Sequence, residues 1–144
     1  MKAIVCNEWC KPEDLKVSEI KNPTLDDNSA RVEIHASGVN FPDVLIVQGK
    51  YQYKPPFPFS PGSEVSGIIS EVGSNVKSLN IGDRIMAVTG HGAFAEEVCI
   101  SENKVTKIPE EMNFITAASM SLTYGTSAYA LFQRANIQKN DFIL

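Results

Sequence analysis

Long apolar runs are missing from this sequence: none approaches the roughly 18 residues that a membrane-crossing helix needs. Basic character is lacking too. Lys and Arg number 13 against 17 Asp and Glu, for a net charge of −4, and no basic run occurs, which argues against nucleic acid or an anionic membrane as the partner. Cysteine is scarce, and Cys6, Cys10 and Cys99 are odd in number and lack zinc-ribbon spacing, which disfavours a disulfide framework. Reduced thiols in a cytoplasmic protein are the expectation, with Cys6 and Cys99 as core side chains. Nothing beside Cys10 except Lys11 would lower its pKa. The opening Met1-Lys2-Ala3-Ile4-Val5 reads as the start of a strand and not as a secretory leader. No internal repeat or low-complexity segment is present.

What remains is a chain of 144 residues, 43% hydrophobic and 21% charged, enough for one globular domain with a modest core. Strands are expected from Lys2 to Asn7 and from Leu15 to Ile20. The run from Arg31 to Ala36 alternates cleanly, which turns Val32, Ile34 and Ala36 inward and leaves Arg31, Glu33 and His35 facing out. Further strands follow Val65, from Arg84 to Val88 and from Ala93 to Cys99. Short strands at spacings of about 8 to 12 residues predict an antiparallel barrel or sandwich. The character changes at Asn113, which reads with Thr116 as a helix start. An Ala-rich helical region then extends to Arg134 with an interruption near Thr123 to Gly125. Asp141 to Leu144 reads as another strand. Because that strand has no continuation here, the chain is expected to be a piece of a longer protein.

The segment from Gly38 to Gly67, GVNFPDVLIVQGKYQYKPPFPFSPGSEVSG, combines the ingredients of a small-molecule site. Asn40 followed by Phe41-Pro42-Asp43 is the pattern of an N-cap, a first-turn proline and an acid near the helix start. Gly49 is a natural helix stop, with Tyr51 and Tyr53 in the loop beyond it. Pro55, Pro56, Pro58 and Pro61 deny that loop both helix and central-strand pairing. Gly62-Ser63-Glu64 then leads into the next strand, and His91 stands between Gly90 and Gly92 on what reads as a flexible loop tip.

The residues MKAIV, SGVNFPD, Gly49 to Tyr51, Phe57 to Ile69, Val72-Gly73, the Gly-Asp-Arg of residues 82 to 84, GAFAEE and LTYGTSAYAL occur in the order of a known family. The chain resembles, over its whole length, the N-terminal part of the medium-chain dehydrogenase/reductase superfamily and, within it, the zinc-independent quinone oxidoreductases. The resemblance implies an α+β, mainly β fold. Residues 1–112 would form a GroES-like antiparallel β-barrel as the catalytic domain, and residues 113–144 a helical bridge and first strand of a Rossmann domain. The glycine-rich phosphate loop of that second domain would lie beyond Leu144, so half of an NADPH site would be absent.

Zinc-dependent alcohol dehydrogenases of this superfamily have Cys where Asn40 stands and His where Ser63 stands, and they carry a four-cysteine lobe that is missing here. Asn and Ser are poor zinc ligands, so the resemblance implies metal-free chemistry. Hydride transfer to a quinone or an α,β-unsaturated carbonyl leaves charge on the substrate oxygen, and hydrogen-bond donors must then receive it. Asn40, through its amide NH₂ while its carbonyl caps the helix, and Tyr51, through its hydroxyl, are the implied catalytic donors. Thr126 and Tyr129, with Asn40, are the implied cofactor contacts, and Asp43, Ser63, Glu64 and His91 the implied lining of the substrate cleft.

Each assignment has a structural alternative. Asn40 serves equally as an N-cap, Asp43 as a first-turn acid, Tyr51 as a packed aromatic and Glu64 as a buried partner of Arg84. Thr126 and Tyr129 share a helical face, and His91 is an ordinary exposed loop residue on the alternative view. At the level of function the alternatives are a zinc-independent enoyl reductase and a non-catalytic GroES-like binding module. The full-length protein is expected to be a homodimer acting on a small molecule, and the 144 residues alone to be inactive.

Overall fold

A computed structural model describes residues 1–143 of the chain. Its centre is a five-stranded antiparallel sheet whose long member is β3 (Ser29–Gly38). β4 (Glu64–Val72) pairs along one side of it and β6 (Glu97–Ser101) along the other. β5 (Arg84–Val88) joins β4, and β7 (Val105–Lys107) closes the order β6-β3-β4-β5-β7. The hairpin of β1 (Lys2–Val5) and β2 (Lys16–Glu19) forms a second sheet, tied on by the bridges Ala3 to Ala95 and Cys6 to Phe59. Closure of this body therefore rests on isolated bridges and not on one continuous ladder. Register shifts at Arg31/Val32 and Ile34/Ala36 bend β3 and let the sheet curl.

The alternation expected in β3 is present: Val32 is fully buried, while Glu33 and His35 lie on the solvent side. Val32, Val65, Ile69, Ile85, Val98 and Ile100 fill one core. A smaller apolar cluster of Cys6, Ile46, Val47 and Phe59 lies under α1 (Phe41–Val47), with Cys10 and Tyr51 packed against it. Cys6 is buried as expected, whereas Cys99 is only half-buried, its thiol 3.8 Å from the Pro23 carbonyl.

Three sequence expectations change. The strand expected over Ala93 to Cys99 is ordered as a ladder only from Glu97. The Ala93 and Phe94 amides donate to the Gly62 and Pro61 carbonyls, so that stretch belongs to the Pro-rich loop instead. The helical break falls at 119–122, between α2 (Phe114–Ala118) and α3 (Thr123–Ala128), and Gly125 sits within α3. The physical reason is that the Leu122 amide is taken by the Glu64 carboxylate at 2.7 Å. From Tyr129 to Arg134 the helix continues with wider π-type turns. Residues 141–143 are not strand, because no neighbouring strand of the described residues lies beside them; Leu144, the last residue of that expectation, lies outside the described residues. Asn113 does cap α2, its side-chain oxygen accepting from the Thr116 amide at 2.8 Å.

Candidate functional site

β3 ends at Gly38, and two residues later the chain turns into α1. Asn40 stands at that junction with an extended backbone, and Pro42 follows inside the first turn, where its missing N–H costs nothing. Asp43 folds back so that its Oδ2 accepts from the Asn40 backbone amide at 2.8 Å. This is one arm of a capping box. The Asp43 amide donates to the Asn40 backbone carbonyl at 3.0 Å, and the Asn40 side chain donates from Nδ2 to Glu64 Oε2 at 3.1 Å.

Glu64 opens β4 opposite Gly38 and is 1% exposed. Its Oε1 accepts from the Leu122 amide at 2.7 Å. The partnership expected with Arg84 does not form. The Arg84 guanidinium donates to the carbonyls of Pro109, Glu110 and Met112 and lies over the Phe114 ring, because the loop before α2 presents three carbonyls within its reach. Asp43, 3% exposed, accepts from the Ser63 hydroxyl at 3.0 Å. Burial raises the Asp43 carboxyl above the usual aspartate range, against the lowering effect of its two hydrogen bonds, and the nearby Glu64 charge acts in the same direction as burial. Four of the expected residues, Asn40, Asp43, Ser63 and Glu64, therefore converge in one buried polar cluster. Gly38 makes room for it: a Cβ there would stand 2.6 Å from Glu64 Oε2 and 2.8 Å from the Ala118 carbonyl.

The other expected residues lie elsewhere. Tyr51 packs its ring on the apolar cluster beneath α1, and its hydroxyl has no hydrogen bond among the described residues. Thr126 and Tyr129 are exposed on the helix that begins beside Leu122. His91 is not a free loop tip. Its Nδ1 is 2.9 Å from the Tyr53 hydroxyl, its ring meets the edge of Phe59, and burial pushes its pKa below the ordinary imidazole value. His91 lines a different cavity of about 530 Å³ with Tyr53, Phe59, Ser60 and Thr89.

Sequence reading missed the Leu122 backbone amide, Gly38 and Tyr53. A main-chain donor leaves no trace in residue type, whereas a glycine at the end of an alternating strand was a usable sign of close approach. The arrangement as a whole presents an amide donor at a helix entrance, braced from behind by a buried carboxylate.

The model for the alcohol dehydrogenase GroES-like domain matches residues 26–110. The quinone oxidoreductase-like protein 2 homolog of Nematostella vectensis is 40% identical over 99% of this chain, which covers 39% of that protein. The quinone oxidoreductase of Pongo abelii is 35% identical over the full chain, covering 44% of that protein. Among solved structures, the Escherichia coli quinone oxidoreductase complexed with NADPH superposes with a TM-score of 0.84 at 32% identity, over 94% of this chain and 41% of that one. The human synaptic vesicle membrane protein VAT-1 homolog-like protein gives a TM-score of 0.92 at 35% identity, over 96% and 45%. The chain thus spans less than half the length of each of these relatives.

Proposed function

The chain belongs to the family of alcohol dehydrogenase GroES-like domains, on its quinone oxidoreductase-like branch, and from that premise we propose that it is the substrate-side part of a metal-free, NADPH-dependent reductase of quinones or α,β-unsaturated carbonyls. The observation that carries this reading is the Asn40 amide. One of its two N–H groups is spent on a buried carboxylate, which fixes its direction, and the other has no partner among the described residues.

NADPH, when bound, supplies the hydride, and in this reading Thr126 and Tyr129 hold its nicotinamide end. As the hydride and its electron pair reach the substrate carbon, charge collects on the substrate oxygen. Asn40 donates its second N–H to that oxygen and Tyr51 its hydroxyl, and solvent supplies the proton that completes reduction. A donor already oriented by Glu64 needs little reorganisation as the charge grows. The same cluster suits a cation poorly. Asn40 and Ser63 offer an amide and a hydroxyl, neither the thiolate nor the imidazole that a catalytic zinc ordinarily takes. Residues 113–144 act in this reading as the bridge to a cofactor-binding domain.

The test is a quinone and enone reductase assay on the chain extended to the length of those relatives, with NADPH and NADH compared and a chelator added. The expected result is NADPH-linked turnover that survives chelation and falls about 10²-fold in kcat for Asn40→Ala, as for loss of one oxyanion donor. Turnover abolished by the chelator, or unchanged in Asn40→Ala, would overturn the reading. The 144 residues alone are expected to give no steady NADPH oxidation.

A further inference from the structure

Glu64 is the side chain of the cluster that joins two parts of the chain far apart in sequence, Asn40 and Leu122. Its backbone lies inside the sheet, paired with Gly38 on β3 and Val88 on β5, so the carboxylate projects from a rigid base. One oxygen receives the Asn40 amide at 3.1 Å and the other the Leu122 N–H at 2.7 Å. Leu122 immediately precedes α3, the helix of Thr126. No described residue from Ser119 to Ile143 is buried, so apolar packing does little to fix that helix.

We propose that Glu64 is a positioning residue that ties the Asn40 donor to the start of α3, so that the donor of the cleft and the helix bearing Thr126 and Tyr129 are held in one geometry. The proposal rests on the reading of those residues given above, and it explains two features that the reading leaves alone. The first is residue type. Both partners are donors, so the buried group must be acceptor-only. An ionised carboxylate satisfies both, whereas an amide of the same shape would turn its NH₂ against one of them. The second is Gly38, whose missing Cβ leaves the passage that the carboxylate occupies between β3 and the Ala118 carbonyl.

The experiment is amide hydrogen exchange, read residue by residue by NMR, on the 144-residue chain as wild type, Asn40→Ala, Glu64→Gln and the double variant. If Glu64 ties the two parts, removing the Asn40 side chain frees the carboxylate to swing. The Leu122 amide is then expected to exchange about tenfold faster, equivalent to about 1.4 kcal/mol, and the Thr126 and Tyr129 resonances to shift. In the Glu64→Gln background the Asn40 change is expected to add nothing at Leu122. Leu122 exchange that ignores Asn40→Ala would overturn the proposal. So would equal acceleration at Val32, Ile69 and Ile85, which reports a global loss of stability and no specific tie. If Glu64→Gln does not fold, Asn40→Asp replaces it. A second carboxylate must repel Glu64, and the same rise at Leu122 is expected, its absence again overturning the proposal. Exchange reads the tie and the reductase assay reads the donor, so each claim fails on its own measurement.

Discussion

Ile69 and Glu64 stand on the same strand, at 0% and 1% exposure, and are hidden from solvent for opposite reasons. Around Ile69 the neighbours are Val32, Val65, Ile85 and Leu79, and burial there releases water from apolar surface, worth about 1.5–3 kcal/mol per large side chain. Around Glu64 the neighbours are an amide, a backbone N–H and a second carboxylate, and burial there costs free energy that the hydrogen bonds only offset. One end of β4 holds the fold together. The other end buries a carboxylate against two donors, at the fold's expense, and that cost is what makes it a candidate site.

The contrast is open to test from its largest effect downward. Ile69→Ala leaves a void in a core that cannot collapse around it, and urea unfolding is expected to show a loss of about 2–5 kcal/mol. A loss near zero would mean that this end of the strand is not the core. Glu64→Ala leaves the half-buried Leu122 N–H and Asn40 amide without their acceptor, and the expected loss is smaller than the about 1–3 kcal/mol that each would cost if fully buried. The comparison sharpens if Glu64→Gln recovers part of that loss in stability, because one of the two contacts returns.

The next effect is in pH. The Asp43 carboxyl is raised by burial, so between the ordinary aspartate value of 3.8 and its folded value the native state binds more protons than the unfolded one. Stability from this group is therefore full below that window and falls as pH rises through it. Asp43→Asn is expected to remove that slope from a plot of unfolding free energy against pH, and an unchanged slope would assign the dependence elsewhere. The smallest effect belongs to Tyr51→Phe. Its ring packs on the apolar cluster under α1 while its hydroxyl has no partner among the described residues, so stability is expected to stay within about 0.5 kcal/mol. In the reading above, only turnover responds to this change.

His91 and Glu64 show how far residue type carries. Between two glycines His91 read as a free tip, yet Tyr53 and Phe59 hold it in a separate cavity, because a loop brought back across the Pro-rich segment meets partners that no local pattern announces. Glu64 read as a buried acid, which it is, but Arg84 was the wrong partner. The three carbonyls that claim Arg84 come from a loop whose path depends on how α2 packs. Asn40 and Asp43 were legible because a capping sequence is local, spanning one helical turn. Even there the sequence does not show that the Asn40 amide reaches a carboxylate on a distant strand.

By itself the sequence determined the alternating strands, the helix capped at Asn40 and stopped by Gly49, and a run of polar residues around that helix and the next strand entry, since each follows from chain chirality, backbone freedom and side-chain chemistry within a few residues. Only the tertiary structure decided that Glu64 faces both Asn40 and Leu122, that the helical break falls at 119–122 and that His91 lies apart. Those outcomes depend on which donors and acceptors the folded sheet brings within hydrogen-bond reach, and on the energetic demand that each buried one find a partner.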